Sequence, residues 1–99
     1  MSAFVYLLRL KSGGLYIGAC NDVDKRYIEH CKGKASRMTK LDPPVDIAYT
    51  EEFKTFVEAR RREAQIKRWS KAKKEALMAG DFAELKKLAK SRKGQISLP

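Results

Sequence analysis

Ala3-Phe4-Val5-Tyr6-Leu7-Leu8-Arg9-Leu10, then Lys11-Ser12-Gly13-Gly14, then Leu15-Tyr16-Ile17-Gly18-Ala19-Cys20, is the stretch on which the fold turns. The first run is almost continuously apolar, which suits a strand covered on both faces and so a central one. Gly13-Gly14 supplies the positive φ of a tight turn, and 15–20 reads as the returning strand. Side chains alternate along a strand, so Tyr6 and Tyr16 share a face only if paired residue numbers sum to an even value. A three-residue loop at Ser12-Gly13-Gly14 does this by pairing Lys11 with Leu15. It sets Tyr16 opposite Leu10 and Tyr6 opposite Cys20, with the tyrosines roughly 13 Å apart along the strands. At that spacing they could flank a phosphate without touching. Two buried core tyrosines are the competing reading. Gly18, in mid-strand, marks a bulge or the close approach of another chain.

A helix follows at once. Asn21 or Asp22 is its N-cap, Asp24 lies in its first turn, and it runs to about Lys32 before stopping at Gly33. Val23, Tyr27 and Cys31 recur every four residues and are expected to face the core. Arg26 and His30 share the neighbouring face, where side chains reach a cleft mouth. Taken singly, each also reads as an ordinary solvated residue. Residues 34–44 read as a loop, basic at Lys34, Arg37 and Lys40, with Ser36 and Thr39 within reach of phosphate oxygens if it is more than a connection. Val45 to Thr50 alternates weakly and reads as a third strand.

Thr55-Phe56-Val57-Glu58 is a capping box opening a helix to about Trp69. On a helical wheel Phe56, Ala59, Ala64 and Ile66 define the apolar side, and Glu63 falls about 20° from Phe56. Glu58, Arg61, Arg62, Gln65 and Arg68 fall on the solvent side. A carboxylate in a core-facing stripe is costly unless it binds a metal or is paired. Arg60 and Lys67, at i−3 and i+4, could pair with it, and both readings stand. Ser70 caps a lysine-rich helix from Lys71 to Ala79, Gly80 ends it, and Asp81 restarts a helix to about Lys90. Residues 1–90 are expected to form a single domain and 91–99 a flexible tail. The order of elements describes an α/β (α+β) domain: a small, mostly antiparallel three-stranded sheet flanked by helices.

Length and charge bound the function. Ninety-nine residues bury one modest core. No apolar run approaches the roughly 18 residues of a membrane span, and no signal peptide is expected from the opening residues. Two cysteines, Cys20 and Cys31, imply no disulfide framework, so a reduced, intracellular location is the default. His30 beside Cys31 lacks the partners of a zinc set. The net charge of +10 is uneven. Residues 1–53 carry 8 Lys+Arg against 7 Asp+Glu, and residues 54–99 carry 14 against 5. An excess confined to one half points to a polyanion partner, nucleic acid first. An anionic membrane ranks lower because the basic helices lack a broad apolar face.

The ordered set Val5-Tyr6-Leu7, Tyr16-Ile17-Gly18, Arg26, His30 and Glu63 resembles the GIY-YIG nuclease domain over about residues 3–80. The resemblance is to the small stand-alone bacterial (YhbQ-like) members, in which a lysine-rich segment like Ile66 to Lys74 also follows the acidic helix. Val5-Tyr6-Leu7 departs from Gly-Ile-Tyr, and no residue matches the asparagine that some members add. The resemblance implies a GIY-YIG-type endonuclease that hydrolyses DNA phosphodiesters, structure-selective rather than sequence-specific, with one Mg²⁺ or Mn²⁺ on Glu63. Arg26 would hold the scissile phosphate. Tyr6 or Tyr16 would activate or orient the attacking water, and His30 would be the base or its relay. A phenol needs its pKa lowered, or its proton taken onward, to serve near neutral pH. Lys34, Arg37, Lys40, Lys67, Arg68, Lys71, Lys73 and Lys74 would grip the backbone of DNA, branched or flapped forms included. RNA ranks behind DNA, and the expected location is the bacterial cytoplasm. The competing class is a non-catalytic nucleic-acid-binding module that keeps the nuclease fold.

Overall fold

The alternating apolar strands close into one fully antiparallel sheet in order β2-β1-β3, with β1 (Ala3–Leu10) between β2 (Leu15–Cys20) and β3 (Pro44–Phe53). The computed structural model describes residues 2–91. Its chain divides into two compact units, Met1–Lys67 and Arg68–Pro99. The central place expected for β1 is the observed one, and Val5, Leu7 and Leu8 have no exposed surface.

The hairpin has the expected parity but a register slipped by two. Tyr6 pairs with Gly18 and Leu8 with Tyr16, where Tyr6–Cys20 and Leu10–Tyr16 pairs were expected. The loop is Lys11-Ser12-Gly13: Leu10 N–H donates to Gly14 O at 2.9 Å, Gly13 N–H to Leu10 O at 2.8 Å, and Gly13 takes φ +94°. Either glycine could fill the left-handed position of such a loop. The choice is tied to the segment before β3, where Lys11 N–H meets Pro43 O at 2.8 Å and Ser12 N–H meets Asp42 Oδ1 at 3.0 Å. Because Tyr16 is only two positions from the partner of Tyr6, the two rings lie 6.4 Å apart between centroids, so the tyrosines are neighbours rather than separate posts.

Phe4, Tyr6, Leu8 and Leu10 point to one face of β1. There they pack with Tyr16, Cys20, Ile47 and with Val23 and Tyr27 of α1 (Val23–Cys31). Asp22 caps α1 by accepting from Lys25 N–H at 3.1 Å. The expected inward stripe is corrected at its end: Cys31 is exposed, and His30 is fully buried. The expected loop at 34–44 contains a short helix, α2 (Arg37–Leu41), capped by Ser36, whose Oγ accepts from Thr39 N–H at 3.1 Å. β3 is longer than expected because β1 offers ladder partners as far as Ala3–Phe53.

Ala3, Val5 and Leu7 point to the other face. Glu51 pairs with Val5 across the sheet, and Arg62 of α3 (Phe56–Lys67) bonds to Glu51. α3 therefore covers this second face. Thr55 and Glu58 form the expected capping box, each accepting the other's N–H at 3.2 Å. The buried stripe of α3 is Ala59, Glu63 and Ile66. Phe56 and Ala64, expected inward, are exposed, and Arg62, expected outward, is half-buried. Phe56 instead lies under the Arg60 guanidinium, 5.9 Å from its ring centroid.

In the second unit, α4 (Lys71–Ala79) starts at Ser70, whose Oγ accepts from Lys73 N–H at 3.2 Å, and ends at Gly80. α5 (Phe82–Ser91) follows, with Asp81 accepting from Glu84 N–H at 3.0 Å. The tail expected from residue 91 lies, beyond Ser91 itself, outside the described residues.

Candidate active site

The centre of the site is a hydroxyl on the middle strand. Tyr6 is 2% exposed and lies across Gly18, where any Cβ would press on its ring. The expected bulge or approach of another chain at this mid-strand glycine is corrected: the β1–β2 ladder is regular there, and the neighbour is a side chain of the same sheet. The Tyr6 hydroxyl is 2.8 Å from Nε2 of His30, and the Arg26 guanidinium lies near enough to act on its titration. Arg26 stands one helical turn before His30 and donates to Glu29 Oε1 at 3.1 Å. The His30 ring packs edge-on against Tyr16, with centroids 4.7 Å apart, and against Tyr6 at 5.7 Å. Four of the five expected site residues, Tyr6, Tyr16, Arg26 and His30, thus meet on one face of the hairpin.

Burial sets the protonation of this group. It pushes the Tyr6 phenol up to about 12, against the pull of the neighbouring Arg26 guanidinium. Burial, helped by the positive charge of Arg26 and opposed by Glu29, pushes His30 down to about 4. Near neutral pH the imidazole is uncharged and the phenol keeps its proton. The lowering of a tyrosine by nearby cations, which the sequence reading asks for, is therefore not met at Tyr6 in the free protein. Tyr16, half-buried, is the tyrosine that solvent reaches.

His30 is held from behind by Thr39, expected only to contact phosphate or to lie in an ordinary connection. Thr39 is fully buried, its Oγ1 2.7 Å from His30 Nδ1 and 2.9 Å from Ser36 Oγ. A buried threonine cannot touch a phosphate in solution. The signal in the sequence is Ser36 three residues before Thr39, the spacing of a helix N-cap and the N–H it accepts.

Glu63 enters from the other side of the sheet. Its side chain is 12% exposed and engaged by Lys67 Nζ at 2.9 Å and Arg60 Nε at 3.5 Å. The pairing of Glu63 by its own helix is thus realised, and the carboxylate is not part of the tyrosine–histidine network. Among the described residues no three His, Cys, Asp or Glu side chains converge on a metal-sized space. A single hard carboxylate that already collects positive charge does fit Mg²⁺ or Mn²⁺, which keeps most of its waters and takes one or two protein ligands.

The expected backbone-gripping cations divide. Lys34, Arg37, Lys40, Lys67, Arg68 and Lys71 are exposed and Lys74 is half-buried. Lys73 is corrected: it is 4% exposed, with its ammonium 4.1 Å from the centroid of the Trp69 ring. Cys20 and Cys31 are both free, and no helix among the described residues is long and apolar enough to cross a membrane.

Comparison with known proteins shows the family and the fold. Residues 2–76 match the model of the GIY-YIG catalytic domain. A UPF0213 protein of Staphylococcus saprophyticus is 40% identical over 76 residues, covering 77% of this chain and 93% of that protein. One from Staphylococcus aureus is 38% identical over 73 residues, covering 74% of this chain and 89% of that protein. The solution NMR structure of a UPF0213 protein from Bacillus halodurans, 37% identical, superposes with a TM-score of 0.52 over 80% of this chain and 84% of that one. The chain belongs to the GIY-YIG catalytic domain family, whose members' shared fold suggests nuclease activity.

Proposed function

We propose that this protein is a metal-dependent endonuclease that hydrolyses phosphodiester bonds in DNA, selecting branched or flapped structure rather than sequence. The observation that carries the reading is the Tyr6 hydroxyl, 2.8 Å from His30 Nε2 and next to the Arg26 charge. A phenol, a neutral imidazole and a guanidinium in one cluster are the parts needed to orient a water and hold a phosphate. Residues 1–90 act as one functional domain in this reading, in the bacterial cytoplasm.

Tyr16, open to solvent, meets the attacking water. Tyr6 and His30 form the buried brace behind it, and their values of about 12 and about 4 keep the proton on Tyr6 until substrate binds. Arg26 turns from Glu29 to the scissile phosphate and opposes the charge that grows on it. Glu63 would hold Mg²⁺ or Mn²⁺, which when bound supplies charge neutralisation at the phosphate and the leaving oxygen. Lys34, Arg37, Lys40, Arg68 and Lys71 grip the DNA backbone without reading bases. One observation favours the second reading, a binding module without catalysis: Glu63 is neutralised by Lys67 and Arg60 of its own helix.

The test is incubation with branched, flapped, single-stranded and duplex DNA, and with RNA, in Mg²⁺, Mn²⁺ or EDTA, beside Glu63→Ala and Tyr16→Phe. Metal-dependent cutting of branched DNA, lost in both variants, is the expected result. Cutting that survives both substitutions removes the assigned site. Binding without cutting under every condition selects the binding module. Affinity falling steeply with salt is common to both readings.

A further inference from the structure

His30 is enclosed by five side chains from four elements: Tyr6 of β1, Tyr16 of β2, Arg26 and Glu29 of its own helix, and Thr39 of α2. Its two ring nitrogens have one partner each, so the direction of every hydrogen bond in the chain can be worked out. The Tyr6 hydroxyl has one proton and two neighbours, Arg26 and His30 Nε2. A guanidinium only donates. The Tyr6 proton therefore goes to Nε2, and the neutral ring carries its own proton on Nδ1. That proton is donated to Thr39 Oγ1 at 2.7 Å, and Thr39 passes its hydroxyl proton to Ser36, whose Oγ is 2.9 Å away and whose carbonyl is 3.4 Å away. The reverse direction would aim the Tyr6 proton at Arg26 and leave a buried donor unsatisfied, which buried hydroxyls avoid.

We propose that Thr39 is a positioning residue of the active site: its hydroxyl holds His30 in the Nδ1–H form, which turns the Nε2 lone pair onto Tyr6 and seats the ring against both tyrosines. Its consequence for cleavage rests on the nuclease reading; its consequence for the imidazole does not. A five-residue helix is a weak element by itself, so its presence behind the ring is explained by what it delivers: one buried hydroxyl, with Ser36 fixing both the helix start and the threonine rotamer.

The chain contains one histidine, so long-range proton–nitrogen NMR correlation reads this ring without assignment ambiguity. The expected wild-type spectrum at neutral pH has a protonated Nδ1 and an unprotonated Nε2. Thr39→Val keeps the shape and removes the acceptor. It is expected to move the proton to Nε2 in part or whole and to lower kcat on branched DNA on the order of 10²-fold, with KM for DNA unchanged. Thr39→Ser restores the tautomer and most of the rate. A wild-type ring protonated at Nε2 overturns the proposal, as does a folded Thr39→Val with an unaltered tautomer. Thr39→Ser failing to preserve the Nδ1–H form overturns it too, and that arm remains if the valine variant does not fold. If the wild type cuts no DNA, the nuclease reading falls while the tautomer still decides the role of Thr39.

Discussion

Tyr6 lies over Gly18 so closely that a Cβ on Gly18 would sit 2.6 Å from the Tyr6 ring carbon Cζ. The two residues are direct cross-strand partners, so neither can yield along the sheet without breaking the ladder. Gly18→Ala must push the ring away from His30 or force the strands apart. The expected cost is about 1–3 kcal/mol, as for other insertions into packed cores, with loss of the Tyr6–His30 hydrogen bond. Urea unfolding measures the first and the His30 ring signals the second. An alanine variant as stable as wild type, with the ring unmoved, would falsify this packing.

The burial of His30 makes stability depend on pH. Its value is about 4 in the folded protein against an ordinary 6.5. Between these limits the unfolded chain binds the proton and the folded one does not. Stability is therefore whole above 6.5 and falls as the pH drops toward 4, by about 3 kcal/mol in total. Glu51 is pushed up by its burial, but hydrogen bonds from Arg62 and Tyr49 outweigh this and hold it below the ordinary carboxylate range. Its stabilisation is lost only at lower pH than that of His30. Urea midpoints across this range should slope for wild type and flatten for His30→Gln. Equal slopes for the two proteins would show that His30 titrates as it does in water.

How far the sequence carried depends on whether a feature was local. Strand alternation and two glycines established the hairpin and put Tyr6 and Tyr16 on one face. Which glycine turned the corner depended on Asp42 and Pro43, some thirty residues away, and that choice brought the tyrosines together. Arg26, His30 and Glu63 could be singled out from helical spacing. That His30 is wholly buried could not, because its burial is tolerable only with Tyr6 and Thr39 as partners, and α2 is too short to show a period. The inward place of Arg62 is hidden from helical spacing for the same reason: its partner, Glu51, comes from a strand eleven residues earlier. Resemblance to a family added the roles of the tyrosines, which no spacing could supply.

That Arg62–Glu51 pair should matter more to stability than the other ion pairs of the first unit. Its side chains are 14% and 20% exposed, and two guanidinium nitrogens meet the two carboxylate oxygens at 2.8 and 3.0 Å. Arg62→Ala leaves a half-buried carboxylate without its main partner, with an expected cost of about 3 kcal/mol or more. Glu29→Ala, which breaks the more exposed pair with Arg26, should cost under about 1 kcal/mol. Thermal and urea unfolding of the two variants compare them directly. If they lose similar stability, the clasp between α3 and β3 is not what secures that helix.

Lys67 and a divalent ion would compete for the same oxygens. The Lys67 ammonium is 2.9 Å from Glu63 Oε2, and its side chain is 56% exposed, so the pair is weak and readily displaced. An ion entering at Glu63 must first move that ammonium, and the work of doing so is subtracted from its affinity. Lys67→Met removes the competitor and keeps much of the aliphatic stem. Mn²⁺ affinity, followed by paramagnetic relaxation of water or by calorimetry, should rise several-fold in Lys67→Met and vanish in Glu63→Gln. If the cation only neutralises a structural carboxylate, the order reverses in kind: Lys67→Met leaves a less satisfied acid, stability falls, and Mn²⁺ binds neither variant nor wild type. The two outcomes separate a metal ligand from a helix-surface ion pair without any cleavage assay, and so decide which half of the proposed site α3 supplies.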